Sequence, residues 1–263
     1  NNRTLESDTD KLTIGDGSLG YVMTGQGNTV RTGKAGTTGK ITLNNNSVFT
    51  YSLDRTGTIT NYNNLKSNGN ENYGIYASGS VENRGNIDFR NGIGNVGAYS
   101  YTKGATTTPN AIKNYGTIDV SGSDVMTDPN NRKYGIGMAA GYSEESPAGS
   151  GNKVTRGLGN VENHGIIRVT KPDSIGMYAT GAGSVAWNAN RIELSGNKRN
   201  IGMFVENGAR AINTGTITTV GSNNKRQIGI AVVKGILDNR GTININAEGG
   251  YGLLLVGATV INR

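Results

Sequence analysis

Two aspartates and a histidine are the residues of this sequence whose types and spacing could do chemistry. The chain of 263 residues has one histidine, His164, and no cysteine, which excludes thiolate nucleophiles, thiolate metal ligands and disulfides. Asp88 and Asp119 occupy the same place in a recurring motif, so a stacked repeat would bring them about one strand spacing apart. Carboxylates at that separation could serve a retaining glycosidase or hold calcium.

The surrounding repeat favours a structural interpretation of all three residues. His164 occupies a motif position that varies freely, since other copies have Arg84, Tyr115, Ala189, Thr214 and Arg240 there. The position of the two aspartates is equally mixed, and reads Thr60, Asp88, Asp119, Arg168, Glu193, Thr218 and Asn244. A solvated charged face explains this column, so we predict a protein without enzymatic activity. A β-helical polysaccharide lyase or glycosidase acting through Asp88 and Asp119 is the alternative.

The composition limits the chain to a thin core of small and β-branched residues. Glycine accounts for 42 residues, aromatic residues for 6% and charged residues for 17%, below the usual quarter. The net charge of +7 is scattered along the chain, so we predict no nucleic-acid partner. No phosphate-binding loop, zinc-ligand spacing or dinucleotide motif stands out, and we predict no cofactor and no metal.

No stretch of the sequence reads as a membrane helix or as a signal peptide. The longest apolar run, Tyr251 to Val256, has the length of a strand, whereas a membrane helix needs about 20 residues. The chain opens with NNRTLESDTDK, which resembles the middle of a protein rather than a leader. We therefore expect a fragment of a longer protein, monomeric by itself.

Two short motifs alternate along the chain. The first is N-x-G-x-I, found at Asn83-Gly85-Ile87, Asn114-Gly116-Ile118, Asn163-Gly165-Ile167, Asn213-Gly215-Ile217 and Asn239-Gly241-Ile243. Its variants are Asn188-Asn190-Ile192, Arg55-Gly57-Ile59 and the shorter Gly39-Ile41. The second motif has glycine at its second position and reads LGYVM at 19, YGIYA at 73, VGAYS at 96, IGMAA at 136, IGMYA at 175, IGMFV at 201, IGIAV at 228 and YGLLL at 251.

The hydrophobic pattern inside each copy has a period of two, which indicates strands rather than helices. The first, third and fifth residues of the second motif are apolar in most copies, as a strand with one buried face requires. Three short strands in about 25 residues predict an all-β fold, a single right-handed parallel β-helix of three sheets and about eight turns. We divide 1–263 into less regular turns at 1–70, turns with loop insertions at 71–172 and regular turns at 173–263.

The asparagines of the first motif are predicted to form a structural ladder. Asparagine tolerates left-handed backbone angles, and its side-chain amide can bond the asparagine one turn away. The glycine allows the bend that follows, and the isoleucine then enters the core. The predicted ladder consists of Asn83, Asn114, Asn163, Asn188, Asn213, Asn239 and Asn262.

Both motifs resemble the passenger repeats of the large autotransporter adhesins of fusobacteria. The resemblance is strongest at SIGMYATGAGSVAWN, IGMFVENGARAINTGTI and NRGTININ, between 173 and 263. It implies a type V secretion system, with a signal peptide and a C-terminal outer-membrane barrel outside this fragment. It also implies right-handed coiling, display at the cell surface with membrane contact only through that barrel, and roles in coaggregation and host-cell attachment.

Ligand binding is predicted where the repeat is broken or where aromatic side chains point outward. Insertions interrupt the repeat at 101–110, 121–133 and 142–158. The fourth residue of the second motif, which should face outward, reads Tyr76, Tyr99, Ala139, Tyr178, Phe204, Ala231 and Leu254. We predict an adhesin segment that binds a glycan or protein of host cells or bacteria, and a stalk without binding of its own is a further possibility. The candidate residues are Tyr101, Lys103, Tyr142, Glu144, Glu145, Lys153, Arg156, Tyr178, Trp187 and Phe204.

Overall fold

The computed structural model describes residues 2–121, 133–170 and 172–262, with the side chain of Asn262 excepted. Within this part the chain is all-β, and three long parallel sheets wind into one solenoid. No helix in these ranges has the length and apolarity to cross a membrane. Most of the predicted insertion at 121–133 lies outside the described residues, as does the side chain of Asn262 in the predicted ladder.

Each turn contributes three strands, one to each sheet. Turns 1 to 4 consist of β1 (Thr4–Ser7), β2 (Leu12–Ile14) and β3 (Leu19–Met23); β4 (Thr29–Thr32), β5 (Lys40–Leu43) and β6 (Val48–Ser52); β7 (Thr58–Asn61), β8 (Asn64–Ser67) and β9 (Tyr73–Ala77); and β10 (Ser80–Asn83), β11 (Ile87–Phe89) and β12 (Val96–Ser100). Strand β13 (Thr102–Lys103) then leaves the solenoid.

Turns 5 to 9 repeat the same plan with one further excursion. They consist of β14 (Ile112–Asn114), β15 (Thr117–Val120) and β16 (Gly135–Ala140); the excursion β17 (Tyr142–Glu145) and β18 (Lys153–Leu158); β19 (Asn160–Asn163), β20 (Ile166–Val169) and β21 (Ser174–Thr180); β22 (Val185–Asn188), β23 (Arg191–Leu194) and β24 (Asn200–Glu206); β25 (Arg210–Asn213), β26 (Thr216–Thr219) and β27 (Ile228–Val233); and β28 (Ile236–Asn239), β29 (Thr242–Asn244) and β30 (Tyr251–Val256). Strand β31 (Thr259–Asn262) begins another turn.

Every strand of the solenoid pairs in parallel with its counterpart one turn away. We call the sheet that starts at β1 sheet 1, the sheet that starts at β2 sheet 2 and the sheet that starts at β3 sheet 3. The predicted three-sheet β-solenoid is confirmed, with nine complete turns in the described residues. The turn beyond the predicted eight is turn 2, because β6 has Phe49 where the other copies of the second motif have glycine.

The assignment of Arg55-Gly57-Ile59 to the first motif was wrong. Ile59 pairs with Val81 in sheet 1, whereas Leu65 pairs with Ile87 in sheet 2. Thr60 accordingly lies beside Glu82, and the sheet 2 column that contains Asp88 continues at Lys66. The error arose because a threonine-flanked isoleucine after glycine occurs in both sheets, and only the pairing separates them.

The glycines of the second motif form a column in which adjacent turns approach closely. A Cβ atom built on Gly176 would lie 2.5 Å from the carbonyl oxygen of Gly202 and 3.1 Å from the Ile192 side chain. The glycine therefore takes an inward position, and the residue before it turns outward. The prediction that the first residue of this motif faces the core was wrong for Tyr73, which lies outside the core cluster that contains Ile75 and Ala77. Val96, Ile175 and Ile228 are nevertheless buried at the same place.

A second column, of asparagines, closes the corner after sheet 1. These side chains are buried, and each amide nitrogen donates to the amide oxygen of the next turn. The bonds run from Asn61 to Asn83 (2.8 Å), Asn83 to Asn114 (2.9 Å), Asn114 to Asn163 (3.0 Å), Asn163 to Asn188 (3.0 Å), Asn188 to Asn213 (2.9 Å) and Asn213 to Asn239 (2.8 Å). The column starts one turn before the predicted Asn83, where Thr32 donates to Asn61 at 2.9 Å.

The close approach at the glycine column gives a testable difference between two equivalent positions. Gly176→Ala should lower the free energy of unfolding by about 3 kcal/mol, because backbone of the next turn must move. The control is Gly252→Ala in the last complete turn, where the nearest atom to an added Cβ is an Ile243 methyl at 3.8 Å. Unfolding in guanidinium chloride should give the control a free energy of unfolding within about 0.5 kcal/mol of that of the unaltered chain. Equal losses at the two positions would contradict the close-packing explanation.

The asparagine ladder gives a second stability prediction. Asn163→Ala removes the bonds from Asn114 and to Asn188 and leaves buried amide atoms without partners, at an expected cost of about 3 kcal/mol. Asn190→Ala is the control, because this exposed side chain at the same corner of the next turn makes one bond, to the His164 carbonyl oxygen at 3.2 Å. The control should lose less than about 1 kcal/mol in the same denaturant titration.

Candidate functional site

Two of the predicted insertions meet in a small antiparallel sheet, which we call the flap. The flap consists of β13, β18 and β17 in that order, with Thr102 opposite Leu158 and Tyr142 opposite Gly157. Strand β13 follows the sheet 3 strand of turn 4, and β17 follows the sheet 3 strand of turn 5. Because both excursions start at the same edge, they pair with each other beside sheet 3.

The flap is fastened to later turns by side-chain contacts. Lys153 forms an ion pair with Glu206, a residue of β24 that is 9% exposed. The Asn207 amide donates to the Ser143 hydroxyl at 3.1 Å and to the Thr155 hydroxyl at 3.2 Å. These contacts hold the flap against turn 7, two turns beyond the turn from which β17 departs.

An aromatic column runs along the outer face of sheet 3 beside the flap. The ring centroids of Tyr51 and Tyr76 are 5.0 Å apart, as are those of Tyr76 and Tyr99. Further on, the rings of Tyr178 and Phe204 are 5.7 Å apart. Ala139 occupies the position between Tyr99 and Tyr178, since it pairs with both. The column is therefore interrupted by one turn without a ring.

A cavity of about 530 Å³ lies at this interruption. It is lined by Tyr73, Tyr76, Val96, Tyr99, Tyr101, Ile136, Ala139, Gly141, Tyr142, Ser143, Tyr178 and Thr180. The column of sheet 3 forms the floor, and Tyr142 and Ser143 of the flap form one wall. We call this space the tyrosine cavity; its volume is typical of small-molecule sites.

The tyrosines of the cavity are neutral hydrogen-bonding groups. Burial raises the pKa of Tyr73, Tyr76, Tyr99 and Tyr178 above the ordinary tyrosine value. The Tyr99 hydroxyl donates to the Gly141 carbonyl oxygen at 3.1 Å, and the Tyr178 hydroxyl donates to Glu206 at 2.7 Å. None of the lining side chains is charged. The cavity thus offers flat apolar ring faces and uncharged polar atoms, which suit a neutral ring.

The structure places three of the predicted ligand-binding residues in the cavity, namely Tyr101, Tyr142 and Tyr178. Tyr101 stacks on Tyr99 with centroids 6.0 Å apart and lies edge-on to Tyr142. Phe204 continues the column beyond Tyr178 and does not line the cavity.

The predicted charged residues belong to the strands of the flap and do not line the cavity. Glu144 accepts hydrogen bonds from Arg156 at 2.7 Å and from the Tyr142 hydroxyl at 3.1 Å. Glu145 accepts from the backbone of Gly149 at 2.8 Å. Lys153 forms an ion pair with Glu206, and the exposed Lys103 lies in β13. These residues shape and hold the flap.

Trp187 lies away from the cavity, in sheet 1. Its indole nitrogen donates to the Thr214 hydroxyl at 2.9 Å, and its ring lies edge-on to His164. The imidazole of His164 stacks on Tyr115 with centroids 5.2 Å apart, and its Nε2 is 3.0 Å from Glu162. These contacts join neighbouring turns at a corner, so the structure gives His164 a packing role.

Asp88 and Asp119 are adjacent in sheet 2, as the repeat predicts. Arg90 binds Asp88 at 2.7 Å, and this ion pair lowers the pKa of that carboxyl. Burial raises the pKa of Asp119, whose oxygen lies 3.8 Å from Arg168. Arg168 itself binds Glu193 at 3.0 Å. Both aspartates therefore belong to a chain of ion pairs along the surface, which is a sufficient structural explanation for them.

Two residues of this region, Tyr73 and Glu206, were missed in the sequence analysis. Tyr73 was assigned to the core because strict alternation was assumed across the glycine. Glu206 carries no motif, and only the fold brings it to Lys153 and Tyr178. The signal for the cavity itself was in the sequence, because Ala139 interrupts the aromatic series at the fourth place of the second motif. Within residues 2–121, 133–170 and 172–262, no group of three acidic or histidine side chains could hold a metal ion.

Comparison with known proteins yields one family. The model of the BigA third pectate lyase-like domain matches residues 1–213, a range that contains every lining residue of the tyrosine cavity and the whole flap. No curated protein and no solved structure matches the chain.

The attachment of the flap can be tested by releasing one anchor. Lys153→Ala removes the ion pair with Glu206 and should speed amide hydrogen exchange in β17 and β18 about tenfold. Lys103→Ala is the control, because this exposed lysine of the same sheet has no ion pair in the described part of the chain. Exchange should stay unchanged there, as it should in sheet 2 of both variants. A flap as well protected in Lys153→Ala as in the control would show that the ion pair does not hold it.

Proposed function

The chain belongs to the family of the BigA third pectate lyase-like domain, and from this premise we propose that it is a carbohydrate-binding segment of a bacterial cell-surface adhesin. The solenoid serves as a rod, and the tyrosine cavity binds a glycan of a host cell or of another bacterium without cleaving it. Secretion as an autotransporter passenger, outer-membrane anchoring through the rest of the protein, and coaggregation are part of this proposal. They rest on the resemblance of the repeats to fusobacterial adhesins.

The observation that carries the proposal is the missing ring at Ala139. Tyr99 and Tyr178 lie on the two strands that flank Ala139, so they are separated by two strand spacings, about 9.6 Å. A ring inserted between them would lie about 4.8 Å from each, within the usual range of ring contacts. The spacing of the column therefore leaves room for one six-membered ring between Tyr99 and Tyr178. We call this part of the tyrosine cavity the slot.

A pyranose fits this slot better than a charged group does. Its C–H faces are apolar and pack on aromatic rings, while its hydroxyl edge needs hydrogen-bond partners. The slot supplies both, because the hydroxyls of Tyr142, Ser143 and Thr180 stand at its border and no lining side chain is charged. Burial of an unpaired charge here would be costly, so acidic and basic ligands are disfavoured.

Completing the aromatic column tests the proposal. Ala139→Tyr should fill the slot and reduce binding to an array of immobilised neutral oligosaccharides at least tenfold, which corresponds to about 1.4 kcal/mol. The added ring packs between Tyr99 and Tyr178, so the melting temperature should be equal or higher.

Ala231→Tyr is the matched control, because Ala231 has the same place in the column next to Phe204 and does not line the cavity. It should bind the array as the unaltered chain does. Undiminished binding by a folded Ala139→Tyr variant would remove the slot from the mechanism. Binding to cells that persists after enzymatic removal of their glycans, and is lost in this variant, would point to an aromatic side chain of a protein in the slot instead.

A further inference from the structure

A second cavity lies on a different face of the solenoid, over sheet 1. Its volume is about 560 Å³, and it shares no lining residue with the tyrosine cavity. It is lined by Thr58, Ile59, Thr60, Ser80, Val81, Glu82, Pro109, Asn110, Ala111, Lys113, Asn160 and Glu162. We call it the sheet 1 trough.

The trough lies along an outward column of sheet 1 that carries small side chains in turns 1 to 5, beginning with Thr4 and Thr29. Thr58 lies beside Ser80, and Ala111, next along the column, directly precedes β14. In later turns the same column has Val185, Arg210 and Ile236, whose larger side chains fill the corresponding space. The small side chains leave room over turns 3 to 5, and the segment that joins β13 to β14 encloses the space there.

One wall of the trough is the segment that joins β13 to β14. The Asn110 amide donates to the Arg55 carbonyl oxygen at 3.3 Å, and the Asn160 amide donates to the Pro109 carbonyl oxygen at 3.3 Å. Thr108 donates to the Gly183 carbonyl oxygen at 2.9 Å. These bonds fix the segment to turn 3 at one point and to turns 6 and 7 at others, so the wall is held along its length.

The opposite side of the trough carries charges that compensate one another. Glu82, Lys113 and Glu162 follow each other on neighbouring strands. Glu82 is bound by Arg84 at 2.8 Å, and the Lys113 ammonium lies 3.8 Å from Glu162. The lining itself holds two carboxylates and one ammonium, and Arg84 beside Glu82 balances the remaining negative charge. The trough has several oxygen acceptors within one small volume.

One acceptor of the trough has no partner within the protein. The Asn160 side-chain oxygen is buried, and no group in the described residues donates to it. Buried polar atoms without a hydrogen bond are uncommon in folded proteins and cost about 1–3 kcal/mol each. The Asn160 amide therefore marks a point in the lining of the trough where the protein's own hydrogen bonding is incomplete.

We propose that the sheet 1 trough is a second carbohydrate site, which binds one neutral sugar unit through hydrogen bonds rather than ring stacking. The carboxylates of Glu82 and Glu162 accept from neighbouring hydroxyls, and Lys113 donates. A polyhydroxylated ring is the ligand class that supplies many O–H donors without a charge. This proposal does not rest on the proposed function of the tyrosine cavity.

Saturation-transfer NMR with the methyl glycosides of glucose, galactose and mannose separates the two sites. Ser80→Tyr places a ring in the trough on a strand that tolerates tyrosine well. Thr259→Tyr is the control, since Thr259 occupies the same outward column at an exposed position far along the chain. Melting curves of both variants confirm that they fold.

If the trough binds sugar, the saturation-transfer signal of the methyl glycosides should persist in Ala139→Tyr and in Thr259→Tyr. It should fall at least tenfold in the double variant Ala139→Tyr/Ser80→Tyr. Loss of the whole signal in Ala139→Tyr alone overturns the trough and leaves the tyrosine cavity as the binding site. A signal that survives in the folded double variant also overturns it, as does the absence of any signal with the unaltered chain. A signal abolished by Ser80→Tyr alone supports the trough and contradicts the proposed function.

Discussion

Parallel hydrogen bonding between successive turns is the constraint on which the rest of this molecule depends. A single turn cannot satisfy its own backbone, so each strand must lie about 4.8 Å from its counterpart in the turns before and after it. The same step repeats in three sheets, which forces residues of equivalent position into columns. Asparagines then bond asparagines, glycines meet backbone, and isoleucines stack in a core only a few side chains wide.

The two cavities follow from exceptions within this columnar order. A column that continues without change has no room for a ligand, because each side chain packs on the next. At Ala139 the aromatic column of sheet 3 lacks one ring, and a column of sheet 1 is small up to Ala111 but larger from Val185 to Ile236. In both places an excursion from the solenoid closes the side of the gap, through the flap in one case and residues 104–111 in the other.

The features that recur in every turn could be predicted from the sequence. The prediction failed in turns whose residues depart from the repeat. The alternation of apolar and polar residues and the Asn and Gly motifs were sufficient to predict the three-sheet solenoid, because both are repeated in each turn. They could not place Ile59, whose neighbours resemble both sheets, nor reveal the turn in which Phe49 replaces the glycine. The pairing of β13 with β18 joins residues more than 50 positions apart, and nothing local encodes it. For the tyrosine cavity, residues on both excursions were predicted, but the packing of Tyr73 depended on Gly74 facing the core.

The position of the flap has a mechanical consequence for a rod that is pulled along its axis. Bonds between turns run along that axis, so tension reaches each pair of turns in succession and the weakest pair opens first. Beside turns 5 to 7 the flap provides a parallel path, because it leaves the solenoid after β16 and is fastened again at Glu206 and Asn207. Force is shared between two routes over this stretch, and Ala139 and Tyr178 lie within it. A ligand bound there would lie in the section of the rod that resists extension most. Stretching would therefore deform other turns before it widened the slot.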